Sequence, residues 1–236
     1  MLRQTMNQGW RFLNSTWTLF WVLVVPVAYT ELVAASSAMA DPLRIVALKL
    51  SVAGIVVAVA MAGIMATLPV WVSDKIEGHS GAMDFDSFVG ALLARAGTVC
   101  LGCGVLWTIG ALSQSLAVPS WLGCLGVLIV VSLSVLALSV LAIGIATRIR
   151  TTLSAVLVAS VWVFAALSLA HLGVHNLWNS DVEAFAGGMP AHLLEVLITQ
   201  LWVDAHSVWI YWREVLGLLT WLSVAACGGL KLIRFA

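Results

Sequence analysis

The side chains with the most chemistry to offer are histidines, cysteines and one carboxylate in apolar company. His171 and His175 are four residues apart, so a helix would put both on one face. With His192 and His206 further along, they offer imidazoles for a haem or a copper ion. A haem between membrane spans takes an axial ligand from each of two facing helices. These four histidines instead gather at one edge, beside or after the fifth apolar run, and no other run contributes one. Cys100 and Cys103 have a spacing that suits metal or thiol chemistry, yet no second pair accompanies them. All four cysteines, including Cys124 and Cys227, lie in apolar runs, where a free cysteine acts as a small hydrophobe. Glu31 sits near the end of the first apolar run. An ionisable group at membrane depth marks a substrate or ion path, although this one is close enough to the boundary to reach the interface. A haem- or metal-binding anchor subunit for electron transfer is therefore one alternative that these residues leave open.

Gly78-His79-Ser80-Gly81 resembles the Gly-x-Ser-Gly nucleophile motif of rhomboid intramembrane proteases. That chemistry needs a serine at a helix start within the membrane and a histidine base on a facing helix. Here Ser80 lies among Asp74, Lys75, Glu77, Asp84 and Asp86, and the last apolar run holds no histidine. A Gly/Ser turn in water accounts for the motif, with a serine protease as the lesser alternative. Neither GxxxxGK[ST] nor HExxH occurs, so the chain has no nucleotide site or hydrolytic constellation of its own. The expectation is a protein that is not an enzyme and needs no cofactor itself.

The elements that position these residues are set by composition. Of 236 residues, 62% are hydrophobic and 9% charged, against about 25% charged in a soluble domain. The apolar residues come in long blocks rather than in a 3.6-residue stripe, which argues for membrane spans over an amphipathic bundle. Net charge is zero and no basic stripe suggests nucleic acid. A span needs about 20 apolar residues, which predicts an all-α membrane protein with spans at 17–37, 46–72, 96–116, 121–146, 152–173 and 215–233. Arg3, Arg11, the run from Trp17 and Ala38-Met39-Ala40 also resemble a secretory signal, but the run is span-length and reads as a retained first span.

Basic residues orient the six spans. With the N-terminus inside, the cytoplasmic side receives Arg3, Arg11, Lys75, Arg95, Arg148, Arg150, Lys231 and Arg234, and the outside only Arg44, Lys49 and Arg213. This positive-inside bias puts both termini in the cytoplasm. Residues 1–16 read as an interfacial amphipathic helix. Residues 73–95 form the main polar cytoplasmic segment, and 174–214 a long outer one. Within the latter, Pro190 is expected to start a helix with Leu193, Leu194, Leu197 and Leu201 on one face. Trp202, Trp209 and Trp212 follow it, as in a segment that enters the outer leaflet and returns. Pro26 and Pro69 are expected to kink the first and second spans.

This arrangement resembles the type-2 ABC exporter permeases, in particular compact bacteriocin- or peptide-immunity and drug-efflux permeases. The likeness covers nearly the whole chain as architecture. Its local motif is Asp74-Lys75-Ile76-Glu77-Gly78 followed by an apolar stretch from Phe85 to Arg95, without the family's frequent proline after it. The resemblance implies a bacterial inner-membrane subunit that pairs with a second permease, identical or related, and with an ATP-binding subunit carrying ATP and Mg. It implies that 73–95 docks on that ATPase, through Asp74, Lys75, Glu77, Gly78, His79, Asp84 and Asp86. The same residues equally describe a solvated loop. The resemblance places the first and fifth spans along the permease seam, making Glu31 and Trp162 candidates for a substrate path. Gly97, Gly102, Gly104 and Gly110 in the third span suit close helix packing. The cargo, a hydrophobic peptide, drug or lipid, is not written in the spans.

Overall fold

Apolar surroundings favour backbone hydrogen bonds made within each segment, and the helix makes them at all but its end residues. The computed structural model describes residues 59–76, 121–174, 187–202 and 208–233, with single positions at 20, 24, 56, 89, 93 and 97. Among them there are helices and no strand. A π-helical segment, Met61–Met65, precedes α1 (Leu68–Ile76). Then come α2 (Trp121–Ala146), α3 (Thr152–Val174), α4 (Pro190–Trp202), a 3₁₀ turn (Val208–Tyr211) and α5 (Trp212–Leu232). Within these, Leu125–Ala146 and Trp212–Leu232 are long and apolar enough to cross a membrane. The interfacial helix, the first span with Glu31 and Pro26, and most of the third span lie outside the described residues.

The central helix is α2. Its Val127, Val131 and Val135, four residues apart, pack against Leu193, Leu194, Leu197, Ile198 and Leu201 of α4 and Leu218 and Leu222 of α5. Further along α2, Ala142 and Ala146 admit Met61, Ile64, Met65, Leu68 and Val72, which also pack on Ala155, Ala159 and Val163 of α3. Small residues at these contacts let neighbouring backbones approach closely. Several hydroxyls along the apolar helices bond within their own helix, while Ser160 of α3 reaches Met65 Sδ at 3.9 Å. Ser134 donates to the Val130 carbonyl at 2.8 Å, and Thr220 to that of Leu216 at 2.8 Å.

Helix α4 has the expected start and face: Pro190 is its first residue, and all four named leucines are buried, with Ile198 beside them. The second apolar run differs from expectation in two places. Its path is disturbed ahead of Pro69, at the π segment and the Ala66–Thr67 turn, where the Ala66 N–H reaches the Met61 carbonyl at 2.9 Å. Pro69 falls in the first turn of α1, where a missing N–H is tolerated. The helix also continues to Ile76, so the first charged residues of the polar segment, Asp74 and Lys75, belong to its last turn. No glycine or proline interrupts the chain between Pro69 and Gly78. Likewise α5 begins at Trp212, about one turn before the expected 215.

Two glycines set how α5 lies on α2. A Cβ at Gly144 would stand 2.6 Å from the Gly229 carbonyl oxygen, and one at Gly229 2.5 Å from the Val140 carbonyl oxygen. The obstacle in both cases is backbone, which no rotamer change can clear. At neighbouring Gly228 a Cβ would meet nothing within 4 Å. Gly144→Ala or Gly229→Ala should therefore lower the stability of the purified protein by about 1–3 kcal/mol, the usual overpacking penalty, read as the unfolding midpoint in mixed detergent micelles. Gly228→Ala should leave that midpoint unchanged or raise it through helix propensity; equal losses at 228 and 229 would contradict the packing.

Candidate functional site: an apolar cleft and a basic junction

Helices α3 and α5 stand on either side of a cleft of about 880 Å³, floored by α2. The α3 wall presents Leu157, Val158, Val161, Trp162 and Ala165; these positions recur at three- and four-residue steps and so share a face. Across from them stand Trp221, Leu222, Val224, Ala225 and Gly228 of α5, with Leu138 and Leu141 of α2 beneath. Met189, Pro190 and Ala191, at the start of α4, line one end. The volume lies within the roughly 300–1,000 Å³ of small-molecule sites. Almost nothing polar faces the space, so it offers shape and dispersion contacts to an apolar group rather than hydrogen bonds.

Trp221 fixes the α4 end. Its indole Nε1 donates to the Gly188 carbonyl at 2.8 Å. Trp221 is nine residues into α5, about 14 Å from the first turn and near the middle of the helix. Leu193 packs on Gly217, 3.1 Å from where a Cβ would sit, and Leu201 on Gly126 near the start of α2. The start of α4 therefore lies beside the middle of α5, while its last residues reach the N-terminal end of α2.

A second constellation lies at the opposite ends of α2 and α5. Lys75 Nζ donates to the carbonyls of Thr147 at 2.9 Å and Ile149 at 3.4 Å. A cation there complements the unpaired carbonyls and negative dipole end of α2. The Thr147 hydroxyl lies within hydrogen-bond distance of the Gly144 carbonyl at 2.6 Å and the Leu232 carbonyl at 3.3 Å, linking this junction to the end of α5. Thr151 Oγ1 accepts the Ser154 N–H at 3.2 Å and so opens α3 beside it. The C-terminal ends of α1, α2 and α5 and the start of α3 thus meet, bringing Lys75, Arg148, Arg150 and Lys231 to one end.

Of the residues singled out by sequence, Trp162 lies in the cleft and Lys75 in the junction, far apart in role. Asp74 is placed on α1 by its backbone, while Glu77, Gly78, His79, Asp84, Asp86 and Glu31 lie outside the described residues. Among the described residues no three His, Cys, Asp or Glu side chains gather. His192 is on α4 and His171 on α3, while His175 and His206 lie outside the described residues. Sequence reasoning missed the α5 wall. Its one available signal was the small-residue run Ala225, Ala226, Cys227, Gly228, Gly229 following Trp221, which marks a helix side that admits close neighbours.

Trp221→Phe removes the indole donor but keeps a ring. Faster amide hydrogen exchange at 188–192 is expected, with a loss of about 0.5–1.5 kcal/mol in stability. Trp162→Phe should leave exchange at 188–192 as it is. No protein-family model, curated protein or solved structure matches the chain.

Proposed function

We propose that the chain is the permease subunit of an ATP-driven exporter of hydrophobic or amphipathic molecules, powered by a separate ATP-binding subunit. The observation that carries the cargo half of this reading is the apolar cleft, which includes Trp162 and is partly open. The ATP-driven half rests on the resemblance of Asp74 to Gly78 and the span arrangement to type-2 ABC exporter permeases. In this reading the chain has six spans, with both termini in the cytoplasm. The gathering of Lys75, Arg148, Arg150 and Lys231 at one end supports that orientation, since basic residues are retained inside. The start of α4 beside the middle of α5 supports a re-entrant outer segment, with the Gly188 carbonyl satisfied by Trp221 as a membrane interior requires.

The junction supplies a mechanical route. An ATPase docked on 73–95 would move the end of α1, and Lys75 joins that end to the link between α2 and α3. Displacement of α3 against the α2–α5 pair would then widen or narrow the cleft as a rigid-body motion.

The test is ATP-dependent efflux of a hydrophobic dye from vesicles holding the full chain and its co-purifying Walker-A ATPase. Glu77→Lys with Asp84→Lys should abolish ATPase association and efflux while the permease still elutes as a single species. Lys75→Gln should retain association and reduce efflux severalfold. A purified chain with a strong visible haem band, or efflux indifferent to the ATPase, would refute the reading.

A further inference from the structure

The cleft is asymmetric along its length. At one end it is bounded by Met189 and Pro190 and by Trp221, whose indole is held by the Gly188 carbonyl. Toward the other end the α5 wall runs Val224, Gly228 and then Lys231, at steps of four and three residues, so the lysine continues the stripe that lines the cleft. Lys231 is exposed, one turn beyond the lined space, and Arg148 and Arg150 are exposed at the same end of the molecule. From Leu157 to Ala165 the α3 wall runs about 12 Å. The outer edges of the walls are apolar as well: lining residues Val161 and Val224 are 68% and 60% exposed, and Phe164 beside them is 74% exposed.

These features specify an occupant. The end at Met189, Pro190 and Trp221 accepts hydrocarbon, since an unpaired polar group there would lack a partner. The other end presents cations to anything protruding from the cleft. An approach lined by exposed Val161 and Val224 is stable facing hydrocarbon, which places the entrance toward the bilayer rather than toward water. We infer that the cleft takes one acyl chain of an anionic phospholipid from the surrounding bilayer, tail toward Met189 and Trp221, phosphate at Lys231. This names a substrate class for the proposed exporter and rests on that reading only for the fate of the lipid, not for its binding.

The full chain is reconstituted in phosphatidylcholine vesicles containing a trace of phosphatidylglycerol with a photoactivatable group at the end of one acyl chain. The matching phosphatidylcholine probe is run in parallel, and labelled residues are mapped by peptide mass spectrometry. Labelling should concentrate at 162–165, 189–191 and 221–225, with a preference for phosphatidylglycerol of about fivefold, the factor for one basic residue at an anionic surface. Lys231→Gln should erase the preference, Lys231→Arg restore it, and Val161→Trp with Val224→Trp suppress labelling by both probes. Retained circular dichroism and a single elution peak establish that these variants fold. Equal labelling by the two headgroups, or labelling spread evenly over the outward faces of α3 and α5, would overturn the inference. Specific labelling without ATP-driven efflux would sustain the lipid site and count against the exporter. Efflux of a dye with no specific labelling would overturn the lipid site alone.

Discussion

At the crossing of α2 and α5, main chain meets main chain. Gly144 and Gly229 leave less than one carbon atom's clearance between helices, and the Val140 carbonyl occupies the space where a Gly229 side chain would be. In a hydrocarbon solvent, lipid competes for every apolar surface, so helices associate through close packing and hydrogen bonds rather than through escape from water. The glycine pair supplies that closeness. With α5 held against α2 at this point, the Trp221–Gly228 stretch is fixed as a wall over Leu138 and Leu141. The same placement brings the Leu232 carbonyl to Thr147. Both the cleft and the basic junction depend on it.

The second constraint is the satisfaction of polar groups away from water. Several serines and threonines on the apolar helices return their hydroxyls to carbonyls of the same helix, as Ser132 does to Leu128 at 2.6 Å. At three breaks in the regular helix among the described residues, neighbours absorb the consequence. At the π segment, close-packed α2 and α3 surround the disturbance. At the start of α4, Trp221 takes the Gly188 carbonyl. At the end of α2, Lys75 supplies the missing donor.

A cleft with hydrocarbon walls and cations beyond one end suits cargo of the same polarity. Its walls belong to two helices that differ in attachment. α5 is fixed to α2 through the glycine contact, whereas α3 packs through Ala155, Ala159 and Val163 onto the π segment and α1. The π segment and α1 also pack on Ala142 and Ala146 of α2, so both α2 and α3 rest on them. Lys75 bonds the carbonyls at the end of α2, so α1 is tied to the link between α2 and α3.

Among the described residues, the sequence alone located the helices of the later half of the chain. The runs 121–146 and 152–173 coincide with α2 and with α3 to one residue, and Pro190 starts α4 with the anticipated leucine face. Long apolar blocks and the ring geometry of proline are local properties, so they need no knowledge of neighbours. Trp162 as a path residue was also named from sequence, by resemblance. The site around it was not legible, since its opposite wall comes from a helix about 60 residues further along. Lys75 read as part of a polar cytoplasmic segment because nothing local shows that the carbonyls of Thr147 and Ile149 lie within reach. Likewise Gly144 and Gly229 are two glycines among 19 until α2 and α5 cross. Partners distant in sequence are selected by packing, and only the tertiary structure decides which side chains they bring together.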